Sequence, residues 1–328
     1  MPDLESFKSA AEDLRGVLNP TSLQYSRTFS NFSGHEVWVK PENLQKTGSF
    51  KIRGAYTKMA RMGEEDRACG VITASSGNHG AAVAYAAAQL QVPCTVVMPE
   101  DAPASKMNAV AAYGGEISQH GRFSNERKER AREIAEERGL TYVDSTEDED
   151  IIAGQGTCSV EIIDEMPDVD VIMAPIGGGG LMSGVSTAAK LMRPDVQVIG
   201  VEPRGSRCMH ASLEAGEPVT VDIDTIADGL RTPKPGPITF DYCNRFVDRI
   251  HLVSEEEITD ATILGAERLK LLIEPSGAVS LAGLLSGAVE GVGKKVAVIL
   301  TGGNVDIAAL GEIFVTGLKK LPGNAMHP

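Results

Sequence analysis

Four short segments of this 328-residue chain bring together residue types that can do chemistry. The first is KPENLQKTGSFKIRGA, residues 40–55, in which Lys51 stands between Phe50 and Ile52 and is followed by Arg53. A polar loop after a short apolar run leads into it, and the pattern predicts a helix starting near Ser49. A lysine in a first helical turn is ordinarily a solvated surface group. The positive end of the helix dipole disfavours a cation there, so the amine gives up its proton more readily and suits nucleophilic or base chemistry.

The second segment is TASSGNHG, residues 73–80. It runs from a β-branched stretch into an alanine-rich one, so backbone N–H groups and the side chains of Ser75, Ser76 and Asn78 gather at a helix N-terminus. An anion such as a carboxylate fits that place; simple capping of the helix by one of the three is the ordinary alternative. The third is Gly177, Gly178, Gly179 and Gly180 in a row. A tight turn needs one or two glycines, whereas four cost backbone entropy and let successive N–H groups close around a phosphate. The fourth is TGGN, in which Thr301 displays a hydroxyl at the end of an apolar run.

The elements that must position these segments follow from hydrophobic patterning. Residues 37–39, 70–73, 94–98, 169–175, 196–201 and 296–301 are β-branched and continuously apolar, as expected of strands covered on both faces. Helical stretches are expected at 80–90, 125–138, 180–191 and 259–271, the second highly charged with a narrow apolar stripe. Alternation of this kind predicts an α/β fold with parallel sheets and right-handed crossovers. The run RTPKPGP, 231–237, reads as a surface loop, and the acidic run 147–150 as another loop at a domain boundary. No internal repeat or low-complexity tract is evident.

Composition narrows the class. Net charge is −14, which argues against nucleic acid or an anionic membrane surface as partner. The five cysteines, Cys69, Cys94, Cys158, Cys208 and Cys243, are scattered with no CxxC pair, so neither a disulfide framework nor a thiolate metal site is expected. The first residues do not look like a signal or transit peptide, and no apolar run reaches the length of a membrane span. A cytoplasmic protein is expected.

One rival from another class is a nicotinamide-dependent oxidoreductase. Residues 169–202 run strand, glycine loop, helix, strand, and end in Glu202, near where a ribose-binding acid would stand. GxGxxG is not matched, because Met182 and Ser183 occupy the place of the third glycine. That rival leaves Lys51 and the Ser-Ser-Gly-Asn segment unexplained.

Taken in order, SFKIRGA, SSGNHG, GGGG and TGGN resemble the fold-type II pyridoxal-phosphate enzymes, closest to the threonine/serine dehydratase and serine racemase group. Further matches are PENLQKTG at 41–48, IAGQGT at 152–157, VEP at 201–203, IADGLRT at 226–232 and EPSGA at 274–278. The resemblance covers nearly the whole chain. It implies a fold like that of the tryptophan synthase β chain, with two open twisted parallel-sheet domains. The large one would comprise 1–69 and 148–328, and the small one, inserted, 70–147. No C-terminal regulatory domain is expected. The implied activity is dehydration and deamination of a β-hydroxy amino acid, L-threonine first and L-serine with it. Serine racemization and 3-hydroxyaspartate dehydration are the alternatives, and a homodimer or homotetramer is implied.

The resemblance also implies roles. Lys51 would carry pyridoxal phosphate as a Schiff base and act as catalytic base, with Phe50 against the ring. Asn78 would bond the ring's phenolic oxygen, Gly177 to Gly180 would hold the phosphate, and Thr301 would face the ring nitrogen. Ser75, Ser76, Asn78 and His79 would surround the substrate carboxylate, and Ser76 matches the second acid/base of the racemases. Arg127, counted back from IAGQGT, aligns with a substrate-facing arginine of the racemases; the ordinary reading is one more solvated arginine in a charged helix. The racemases' divalent-cation segment is altered here. Glu202 is present, but Cys208 stands where an acid would be, which argues against a hard cation. Glu202 is then a candidate metal ligand or simply a capped or paired acid at a strand end.

Overall fold

The computed structural model describes residues 1–75, 77–102, 104–121 and 124–318. Ten strands occur among them: β1 (Gln24–Tyr25), β2 (Glu36–Pro41), β3 (Val71–Ala74), β4 (Cys94–Met98), β5 (Glu116–Gln119), β6 (Thr141–Tyr142), β7 (Val171–Pro175), β8 (Gln197–Pro203), β9 (Arg249–Val253) and β10 (Lys295–Leu300). They form two sheets. A six-stranded sheet has the order β1-β2-β10-β7-β8-β9, and a four-stranded sheet the order β5-β4-β3-β6. All pairings are parallel except β1 with β2. The α/β class and parallel sheets are those expected.

In the larger sheet β2, β7, β8 and β10 are buried along nearly their whole length, because helices cover both faces. One face packs on the helix Pro275–Leu285, the other on the helix Gly180–Met192. In the smaller sheet the Ala-rich helix Asn78–Leu90 covers one face and the charged helix Ser124–Arg138 the other.

The acidic run 147–150 leads from a loop into a helix, with Glu147 and Asp148 before it and Glu149 and Asp150 opening it. Asp148 caps the helix Glu149–Glu165 by accepting the amides of Asp150 and Ile151, and Glu149 and Asp150 fill its first turn, where the dipole favours anions. This helix carries IAGQGT and is buried on almost every side. Its glycines exist for close approach. A Cβ on Gly154 would meet the backbone of Arg53 and Gly54, and one on Gly184 would collide with the Ile152 carbonyl. The helix is thereby pressed against the two that matter most, Lys51–Ala60 and Gly180–Met192. The stretch expected as helix at 259–271 instead runs Glu255–Leu264, continues as a π-turn through Leu269, and stops at Lys270 with φ 62°.

Candidate active site

Every chemically interesting segment lies at the C-terminal end of a parallel strand, where open α/β sheets hold ligands. Along the larger sheet the Lys51 segment follows β2, Thr301 follows β10, the four glycines follow β7, and Glu202 lies in β8. On the smaller sheet Ser75 and Asn78 follow β3.

Lys51 opens the helix Lys51–Ala60, two residues later than the expected start. Its turn is fastened to the end of β10: Phe50 N donates to Thr301 O at 3.1 Å and Gly303 N to Gly48 O at 3.0 Å. The Lys51 amine lies 5.0 Å from the centroid of the buried Phe50 ring. Burial lowers its pKa from an ordinary 10.5 to about 8, opposed by the Asp144 carboxylate and assisted by the Lys128 cation. An amine so poised is free in useful fraction at neutral pH.

The glycine loop is cramped by its neighbours. A Cβ on Gly178 would come within 2.9 Å of Thr146, one on Gly179 within 2.8 Å of both Met209 and Thr239, and one on Gly180 within 3.0 Å of Thr146. Gly179, at φ 93°, caps the helix Gly180–Met192, whose first amides have no intrahelical partner. Bare backbone facing a helix N-terminus is an anion cradle.

Asn78 opens the helix Asn78–Leu90 with Gly77 as its cap. A Cβ on Gly77 would meet nothing within 4 Å, so there is room beside the first turn of this helix, whose first amides have no intrahelical partner. Ser75 accepts the Gly77 amide at 3.2 Å. Ser76 lies outside the described residues. The Asn78 side chain donates to Glu274 at 2.7 Å and accepts from Asn304 at 2.9 Å.

The His79 ring has a partner of its own. It is buried, and its Nε2 lies 3.2 Å from the Val143 carbonyl, so that nitrogen carries the proton and donates. Burial, with Lys51 adding to it, depresses the pKa to about 4. The ring is neutral and Nδ1 can only accept, so it cannot donate to a carboxylate. Only the main-chain amide of His79 is available for that. Arg127 departs from the ordinary reading: it is 8% exposed, not solvated, and burial lowers its pKa against the fields of Asp101, Glu126 and Asp228. Near it, Lys106 on the helix Ala104–Ala112 bridges to Asp228 at 3.0 Å.

Glu202 is spoken for. Its two oxygens accept the amides of Met209 and His210 at 2.9 and 2.8 Å, capping the helix Cys208–Ala215. Both oxygens are turned to that helix N-terminus, a structural role that the nicotinamide rival does not assign to Glu202. Cys208 Sγ sits 3.6 Å from the Gly177 carbonyl and braces the glycine loop. Among the described residues no group of three or more His, Cys, Asp or Glu could hold a metal. Burial pushes the Glu202 carboxyl up to about 8 against the two amides. Glu202→Gln sets an N–H group against an N–H donor and is expected to lower stability by about 1–3 kcal/mol. A chelator or added Mg²⁺ is expected to leave the thermal midpoint of the parent unmoved; a metal-dependent rise would assign Glu202 to a cation instead.

Sequence reading gave no role to Thr146, Glu274 or Asn304. The last two lay within EPSGA and TGGN, so the signal was present but not the partner.

Residues 14–302 match the family described as pyridoxal-phosphate dependent enzyme. The chain is 44% identical over 321 residues to an L-threonine ammonia-lyase of Thermotoga maritima, covering 98% of this chain and 80% of that one. It is 39% identical over 308 residues to an L-threo-3-hydroxyaspartate ammonia-lyase of Saccharomyces cerevisiae, covering 94% of each. The solved structure of maize serine racemase superposes with a TM-score of 0.91 at 36% identity, covering 97% of this chain and 98% of that one. The chain belongs to the family of pyridoxal-phosphate dependent enzymes.

Proposed function

We propose that this chain is a lyase that removes water and then ammonia from a small β-hydroxy amino acid. L-threonine is the foremost substrate, giving 2-oxobutanoate, and L-serine, giving pyruvate, the second. The observation that carries this reading is the placement of the Lys51 turn, Thr301 and the glycine loop at the C-terminal ends of strands of one sheet, with the Lys51 amine beside the buried Phe50 ring.

The residues present fit pyridoxal phosphate. The cradle at Gly177 to Gly180 presents main-chain amides with no side chain in the way, Phe50 supplies an apolar wall beside Lys51, and Asn78 keeps one amide hydrogen for the ring's phenolic oxygen. Thr301 offers the ring nitrogen a hydroxyl, which bonds without charging it. When bound, the cofactor supplies the sink for the electron pair left at the substrate's α carbon. Lys51, once released by the substrate's own amine, is the base that takes the α proton, a role worth roughly 10²–10⁴-fold. The first amides of the helix Asn78–Leu90 hold the substrate carboxylate and fix which bond faces Lys51. A hydroxyl at Thr301 favours prompt loss of the β-hydroxyl over longer-lived alternatives.

Division into a large domain, 1–69 and 148–328, and a small one, 70–147, is supported by the membership of the two sheets. The Lys106–Asp228 bridge supports a closure that excludes water from the site. No described helix is long and apolar enough to cross a membrane, and all five cysteines are unpaired, which supports a cytoplasmic setting. Exposed Ile307 and Val315 on the helix Ile307–Leu318 offer apolar surface to a homodimer or homotetramer.

The test is release of 2-oxo acid from L-threonine, L-serine and both diastereomers of 3-hydroxyaspartate, with the configuration of residual serine read alongside. Fastest consumption of threonine, with serine keeping its configuration, is the expected result. Dominance of hydroxyaspartate would shift the reading to a dicarboxylate substrate, with Arg127 the cation to examine. Accumulation of D-serine would shift it to a racemase.

A further inference from the structure

We propose that Glu274 is a positioning residue: its carboxylate holds the side-chain amide of Asn78 in one orientation, and its charge sets the pH response of the cofactor site. The proposal rests on the reading that Asn78 faces the cofactor.

The argument starts from a donor that cannot be reversed. Asn304 Nδ2 lies 2.6 Å from the main-chain carbonyl of Thr47. A carbonyl only accepts, so the Asn304 amide must present its nitrogen there. The second hydrogen of the same nitrogen goes to Asn78 at 2.9 Å, which must therefore present its oxygen. Asn78 Nδ2 is then turned to Glu274 Oε1 at 2.7 Å. Donation runs one way from Asn304 through Asn78 to Glu274, with the Thr47 carbonyl fixing the Asn304 end, and one hydrogen of Asn78 Nδ2 is left for the cleft.

The backbone is shaped to admit this chain. A Cβ on Gly302 would collide with the Glu274 carboxylate, and one on Gly48 with the Asn304 side chain. Glu274 is itself anchored, its amide donating to the Gly302 carbonyl at 3.0 Å. Two motif glycines thus make room for a polar relay, a role separate from the phosphate cradle.

Glu274 can change charge at working pH. Burial raises its pKa to about 7; the Asn78 bond opposes this, as do Lys106 from the helix Ala104–Ala112 and Lys51 from its own helix, while Asp228 adds to it. Above about 7 the ionised carboxylate makes a charge-assisted bond to Asn78. Below it the protonated acid is a weaker acceptor, and the Asn78 amide is held only by Asn304.

The experiment compares the parent holoenzyme with Glu274→Gln, reading the absorbance of the bound cofactor and kcat/KM across neutral pH. The parent is expected to show a spectral change with a midpoint near 7 and a fall in kcat/KM on the acid side. Glu274→Gln keeps an acceptor but no charge. It is expected to retain cofactor and fold, to lose the spectral midpoint, and to run roughly tenfold slower above neutrality with the gap closing below it. An unchanged spectral midpoint and pH profile in this variant would overturn the proposal. Asn304→Ala removes the other anchor and covers the case in which Glu274→Gln does not fold. It is expected to alter the bound-cofactor spectrum while keeping the midpoint; an unaltered spectrum counts against the relay. Asn78→Ala separates the two levels, since a spectrum indifferent to it removes Asn78 from the cofactor and the underlying reading fails first.

Discussion

Lys51→Ala is expected to leave a folded protein that binds cofactor without the absorbance of the lysine-bound form and turns over no substrate within the limit of the assay. The loss combines two effects. Removal of the general base alone is worth roughly 10²–10⁴-fold, and the covalent anchor for the cofactor goes with it. The fold has no reason to suffer. Lys51 makes no ion pair among the described residues, alanine is a better helix former than lysine, and a cation is removed from the positive end of a helix dipole. The thermal midpoint of the cofactor-free variant should therefore equal or exceed that of the cofactor-free parent. Absorbance, turnover and thermal unfolding read the three consequences separately. Residual turnover at parental rates would take Lys51 out of the chemistry.

The strands that sequence patterning reached and those it missed divide on one physical ground. The runs that became β2, β3, β4, β7, β8 and β10 are interior to their sheets and largely buried, so their sequences are mostly apolar. The four missed are β1, β5, β6 and β9, and each is the edge of its sheet. An edge strand meets water along one side and carries mixed side chains, as in Glu116–Gln119 and Arg249–Val253, and its pairing partner is not written locally. Glycine serves two different ends in this chain. IAGQGT does not look helical by propensity, because its glycines are there to let three helices touch; GGGG was legible because a turn does not need four. The site divides in the same way. Lys51, Asn78, Thr301 and the glycines announce themselves at strand ends. Glu274 and Asn304 bond Asn78 from 196 and 226 residues away in the chain, and no local pattern reports such a bond. The ordinary reading of Arg127 as a solvated arginine failed for a related reason: its helix is charged throughout, and only packing against β3 and β4 shows which arginine is buried.

Arg53→Met is expected to be the most destabilising single change near the site, by about 3–5 kcal/mol, a large share of the roughly 5–15 kcal/mol that holds a domain folded. Arg53 is fully buried. Its guanidinium forks onto Glu42, with Nε and Nη2 each 2.8 Å from an oxygen, and onto Glu161, with Nη1 and Nη2 each at 2.7 Å. Thr157 adds a contact at 2.9 Å, and buried Lys40 shares Glu161. Burial opposes the charge on Arg53, and the neighbouring carboxylates outweigh it. Methionine fills much of the volume but strands the Glu42 carboxylate, which has no solvent contact, with only Thr21 beside it. Removing both charges should cost less than removing one, so Arg53→Met combined with Glu42→Gln is expected to recover part of the loss. The cluster also carries an acid signature. Although burial raises the Glu161 carboxyl, Arg53 and Lys40 pull it from an ordinary 4.5 to about 2. Its contribution is present above 4.5 and lost as pH falls from there toward 2. The parent should weaken through that window, and the Arg53→Met variant should weaken less across it. Two residues along a helix turn a side chain by about 200°, so Arg53 faces the core while Lys51 faces the cleft. The variant should therefore keep the Lys51 absorbance under conditions where it is folded. Denaturant midpoints at neutral and acid pH, read with that absorbance, decide the matter. A single variant as stable as the parent would mean that the ion cluster is dispensable and that the helix bearing Lys51 is held by its glycine-mediated packing alone.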